Sequence, residues 1–153
     1  MSTLTAWRLT RAVYADRAFS GDGGLFAAGR WHSKGKRIVY TSSSLALATL
    51  ELFVNLLDKH DLEGYVKTRI SFDIDVVQRL EPTDLQAFLT NPDSFNSRAY
   101  GDAWLDANKS LVLEVPSRVV LEEVNYLFNP EHPNFATLEH TTTAYEVDSR
   151  LLK

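Results

Sequence analysis

GGLFAAGRWHSKGKRIVYTSSSLALATLELFVN, residues 23 to 55, passes from a glycine-containing loop through a short β-branched run into an apolar segment that holds one acid, Glu51. RIVYT at 37–41 reads as a strand, and TSSS at 41–44 offers hydroxyl N-caps directly before LALATLELFVNLL. Its Leu, Ala and Glu content and its length favour helix over strand. Leu47 and Ala48 stand one turn before Glu51, and Val54 and Asn55 one turn after, so the acid's own face is apolar. No other charge occurs on this helix until Asp58, and a helix apolar nearly all round is expected to be buried. Burying an ionised carboxylate costs several kcal/mol, a large part of a domain's stability. Glu51 must therefore meet a cation or open into a polar pocket.

Outward from this stretch, LTAWRLT (4–10) and GYVKTRISF (64–72) have strand composition, and the following DIDVVQRL also reads as β. EPTDLQAFL begins with Pro82 as a short helix, and SRAYGDAWLDAN (97–108) puts Ala99, Tyr100, Ala103 and Trp104 on one helical face. LVLEVPS, VNYLF and AYEVD are further strand candidates. Strands before and after the helices, without a regular βαβ alternation, indicate an α+β fold. No repeat or linker divides residues 1–153, which implies one domain.

Composition narrows the function classes. The 153 residues are 44% hydrophobic and carry a net charge of −4, so a broad basic surface for nucleic acid is not expected. With no cysteine, thiolate metal sites and cysteine nucleophiles are excluded. His32, His60, His132 and His140 include no pair at zinc-ligand spacing, so no metal site is predicted. The N-terminal residues lack a signal pattern and no 18-residue apolar run occurs, which predicts a soluble, unexported protein without a membrane span.

Several residues could carry chemistry. Arg30 lies between Gly29 and Trp31, where a glycine lets backbone approach a ligand and a planar guanidinium can hold two anionic oxygens. Arg8, in an apolar strand, must reach a cleft, an acid or solvent. The glycines of GDGGLFAAGR fit neither a phosphate loop nor a dinucleotide fingerprint, and Ser117 in VPS lacks a G-x-S-x-G frame. Tyr40, ending RIVYT, reads alone as a half-buried strand aromatic.

The ordered series WRLT (7–10), GRW (29–31), IVYTSSSLALATLE (38–51), GDAWL (101–105), LEVPS (113–117), NYLFNPEHPNF (125–135) and YEVDSRL (145–151) resembles the RES-domain family, toxins of bacterial toxin–antitoxin pairs. On that resemblance the family's arginine, tyrosine, glutamate and serine fall on Arg30, Tyr40, Glu51 and Ser117, with Arg8 as a further ligand-site arginine. The resemblance implies an ADP-ribosyltransferase-like fold, a split and twisted β core with flanking helices. It also implies NAD⁺ as substrate, with no prosthetic group, and cleavage of the nicotinamide–ribose bond by inorganic phosphate or water. Arg30, Tyr40 and Glu51 would be catalytic, and Arg8 and Ser117 would bind NAD⁺ or phosphate.

A cytoplasmic location and a co-encoded, Xre-like helix-turn-helix antitoxin covering the cleft are implied too. A homo-oligomer within that complex stays open. Two other readings compete: transfer of ADP-ribose to a protein, and a non-catalytic binding module in which Arg30 and Glu51 form a structural ion pair.

Overall fold

Ser44 starts the helix expected from its sequence by accepting the Leu47 amide on its hydroxyl. That helix is α2 (Leu45–Phe53) in the computed structural model, which describes residues 2–153. The other helices are a single turn α1 (Gly23–Phe26), α3 (Pro82–Thr90) and α4 (Ser97–Ala107). Seven strands, β1 (Thr3–Arg11), β2 (Val39–Ser42), β3 (Tyr65–Asp73), β4 (Val77–Arg79), β5 (Val112–Pro116), β6 (Val124–Phe128) and β7 (Glu139–Ala144), form one sheet of order β4-β5-β6-β2-β1-β3-β7. All neighbours are antiparallel except β4 and β5.

The sheet is nearly divided. β1 follows β3 over its whole length, from Thr3 opposite Asp73 to Arg11 opposite Tyr65, and β2 pairs fully with β6. Between these two groups, among the described residues, β1 meets β2 at one paired position, Trp7 opposite Ser42. The expected split α+β core is present, and the gap at β1 and β2 becomes the site.

Alternation along β5 and β6 sends neighbouring side chains to opposite faces. Val112 and Phe128 join Ala6, Phe19, Val39, Ile70 and Phe72 in one core, while Leu113 and Leu127 join Trp31, Phe88 and Trp104 in a second. Phe88 lies 5.6 Å from Trp31 by ring centroids, and the Gly101 position leaves no room for a Cβ beside the Trp31 backbone. The Ser33 amide and hydroxyl both donate to Asp102. Helix α4 thus fixes the loop that carries Arg30.

Three expectations need correction. α2 ends at Phe53 and buries only Leu47 and Ala48, whereas Leu50, Val54 and Leu57 are 45%, 58% and 105% exposed. Its continuous apolar sequence is an exposed stripe on one side. The last strand is EHTTTA, overlapping the expected AYEVD only at Ala144. Its pairing with β3 includes a Thr68–Thr142 hydroxyl bond, so threonines supply a β-branched edge that an apolar pattern does not reveal. DIDVVQRL opens as a 3₁₀ turn (Ile74–Val76), capped by the Asp73 carboxylate, before β4 begins. No helix among the described residues is long and apolar enough to cross a membrane.

Candidate active site

A cavity of about 910 Å³ opens where β1 and β2 separate. Its walls include Arg8 from β1, Tyr40 from β2, Glu51 from α2, Arg30 and Asp93 from loops, Arg98 from α4, and Arg118 just beyond β5. Four arginines and two acids give these charged walls a surplus of two positive charges in a chain of net charge −4. This concentrates positive potential where an anionic small molecule would enter.

Glu51 is half-buried and forms no ion pair among the described residues. Ser117 donates to its Oε1 at 2.6 Å, and the Asn125 amide donates to the same oxygen at 3.1 Å. No described residue donates to Oε2. Two neutral donors therefore orient the carboxylate without cancelling its charge, and one oxygen is left for a ligand.

Ser117 is fully buried and does not line the cavity. Its hydroxyl also accepts from the Val119 and Val120 amides at 3.1 and 3.0 Å, fixing it behind Glu51. In this structure the Ser117 hydroxyl is directed to Glu51.

Tyr40 does line the cavity, and its hydroxyl accepts from the Trp31 amide at 3.0 Å. His32, 3% exposed, stands 2.7 Å away through Nδ1, while its Nε2 meets the Ala27 carbonyl at 2.9 Å. A carbonyl can only accept, so Nε2 carries a proton. In the neutral ring Nδ1 then accepts the Tyr40 hydroxyl proton. Burial pushes the Tyr40 phenol up to about 12, so it is protonated at neutral pH and unsuited to act as a base. A Cβ at Gly29 would lie 2.5 Å from this hydroxyl, so the glycine before Arg30 serves Tyr40.

Among the described residues Arg8 pairs with no acid. Its Nε donates to the Ala18 carbonyl and its Nη1 to the Tyr40 carbonyl, each at 3.0 Å. Desolvation draws its pKa below the usual arginine value, yet a guanidinium remains charged. A part-buried cation held by neutral carbonyls is available to an anion.

Arg30 is not the partner of Glu51; its Nη1 lies 3.7 Å from Asp93 Oδ1. The structural Arg30–Glu51 pair on which the binding-module reading depended is not formed. Sequence reasoning also missed Asn125, Asp93, Arg98 and Arg118. Asn125 had a signal, since a lone amide in the apolar strand VNYLF raises the same question as Glu51 in its helix.

Residues 5–149 match the family described as RES domain. Over 147 residues the chain is 35% identical to "Toxin Res" of Pseudomonas putida, covering 95% of this chain and 97% of that protein. It is 33% identical over 141 residues to the "Prs ADP-ribosylating toxin" of a Sphingobium species, with 86% of each covered. Among solved structures it resembles a chain of the M. tuberculosis MbcT-MbcA toxin-antitoxin complex, with TM-score 0.69 and 18% identity, over 94% of this chain and 85% of that one. At that identity the likeness establishes the fold.

Proposed function

The chain belongs to the RES domain family, and we propose that it is the toxin of a toxin–antitoxin pair, an enzyme that cleaves NAD⁺ at the nicotinamide–ribose bond. The observation that carries this reading is Glu51, a carboxylate held by neutral donors, with a free oxygen, inside an arginine-lined cavity. Breaking the C1′–N bond sends its electron pair to the nicotinamide nitrogen and builds positive charge on the ribose. A fixed carboxylate beside the sugar stabilises that charge as it appears.

Glu51 Oε2 would accept a ribose hydroxyl, Tyr40 would pack against the nicotinamide ribose, and Arg8 and Arg30 would hold the pyrophosphate or an incoming phosphate. Ser117 and Asn125 act through Glu51. Inorganic phosphate as acceptor needs no base, because its attacking oxygen already bears charge, and the product is ADP-ribose 1″-phosphate. Water as acceptor would give ADP-ribose and release a proton.

A second reading, transfer of ADP-ribose to a protein, is favoured by the name of the Sphingobium relative. Incubating the purified protein with NAD⁺, with and without inorganic phosphate, and resolving products by mass separates these readings. Phosphate-dependent nicotinamide release with phosphorylated ADP-ribose supports phosphorolysis, and free ADP-ribose supports hydrolysis. ADP-ribose found only on proteins, when lysate is added, supports transfer. No nicotinamide release under any of these conditions overturns the enzymatic reading.

The partner in this proposal is an Xre-like helix-turn-helix antitoxin that covers the cavity in the cytoplasm. The exposed Val54, which lines the cavity, and the exposed Leu50 and Leu57 offer it an apolar contact.

A further inference from the structure

We propose that Arg30 and Arg118 form a phosphate-binding site at the cavity mouth, and that Asp93 occupies this site in the free protein. Arg118 grips Asp93 as a fork, Nε to Oδ1 at 3.1 Å and Nη2 to Oδ2 at 3.2 Å. Arg30 approaches the same Oδ1 from the opposite loop, 3.7 Å away. The three residues come from three separate segments and all line the one cavity. The arrangement presents two guanidinium groups around one planar oxyanion, the geometry that suits a carboxylate or a phosphate.

Asp93 is easily displaced. It is 67% exposed, and its arginines are 39% and 43% exposed, so water and salt screen the pairing. Inorganic or terminal phosphate brings a third free oxygen and more charge than the carboxylate, and a dinucleotide's pyrophosphate brings two charges on four free oxygens. The surplus positive charge of the cavity walls adds to that preference. Asp93 sits on the loop between α3 and α4, outside the sheet. Arg118 holds the Asp93 carboxyl below its usual range, so at neutral pH the competitor is always charged.

The phosphate would come from the dinucleotide's pyrophosphate or from inorganic phosphate, and only this choice of source rests on the NAD⁺ reading. The test is calorimetric titration of the purified chain with inorganic phosphate and, separately, with ADP, at fixed ionic strength. Asp93→Asn keeps shape and removes the competing charge, so it should tighten binding of one ligand up to about fivefold. Arg118→Ala should weaken the same ligand about tenfold, with Arg118→Lys recovering only part.

An effect on inorganic phosphate assigns the site to the free anion, and an effect on ADP alone assigns it to the dinucleotide. Unchanged or weaker binding of both ligands to a folded Asp93→Asn protein overturns the proposal. Binding is read without turnover, so a wild-type protein that binds phosphate in this pattern but never cleaves NAD⁺ would sink the enzymatic reading and leave this site standing.

Discussion

The cavity holds two carboxylates in opposite settings. Asp93, at the mouth, is exposed and lies against two arginines. Glu51, deeper in, is half-buried, and among the described residues its carboxylate accepts only from a serine and an asparagine. A carboxylate already paired with guanidinium has little charge left to offer a developing cation. One held by neutral hydrogen bonds keeps its full charge and a fixed direction, which is what stabilising a charged transition state requires. The difference separates an acid that occupies a binding site from one that can do chemistry.

Beyond Glu51 itself, the largest effect is expected from Ser117→Ala. It removes one of the two donors to Glu51 and strands the Val119 and Val120 amides, so kcat should fall about 10²-fold through loss of positioning. Unfolding should become easier by about 1–3 kcal/mol, read by denaturant titration. An unchanged kcat would mean that Glu51 needs no anchor.

Asn125→Ala should lower kcat about tenfold, near the effect of one neutral hydrogen bond, with little change in KM. Asn125→Asp is the sharper variant, because it places a second acid against Glu51 and should turn the pair into a proton-sharing one. Its activity should then fall further and acquire a new pH limb.

Tyr40→Phe removes a hydroxyl bonded to Trp31 and His32 and should cost about 1–3 kcal/mol of stability. Difference titration against wild type should show no Tyr40 phenolate in the ordinary tyrosine range near pH ~10, since its ionisation belongs at about 12. A signal there would show that the phenol is not sealed. The smallest effect on the chain alone is expected for Val54→Ser with Leu57→Ser, within about 0.5 kcal/mol because both residues are exposed. The same double variant should weaken inhibition by a co-expressed antitoxin, measured as NAD⁺ turnover.

The sequence made the strand around Arg8, the Ser44 cap and the position of Glu51 legible, because period, capping chemistry and a lone acid in an apolar run are local signals. It did not reveal which face of α2 is covered, since Leu50, Val54 and Leu57 read no differently from Leu47. Strand β7 was hidden because threonine edges carry little apolar pattern. The Arg30–Glu51 pair of the competing binding-module reading is absent for a related reason: partner choice depends on where the 91–96 loop delivers Asp93, and that is set by the packing of α3 and α4. Gly29 read as a place where backbone could approach a ligand, and in the structure the group close to it is the Tyr40 hydroxyl.

In the proposed reaction the unpaired charge of Glu51 drives cleavage of NAD⁺. Nicotinamide release by the wild type and by Glu51→Gln should be compared under identical phosphate, with thermal unfolding of both recorded. Glutamine keeps the shape and removes the charge. Glu51→Gln should fold with similar stability and release nicotinamide about 10²–10³-fold more slowly. A folded Glu51→Gln protein that releases nicotinamide at the wild-type rate would contradict it.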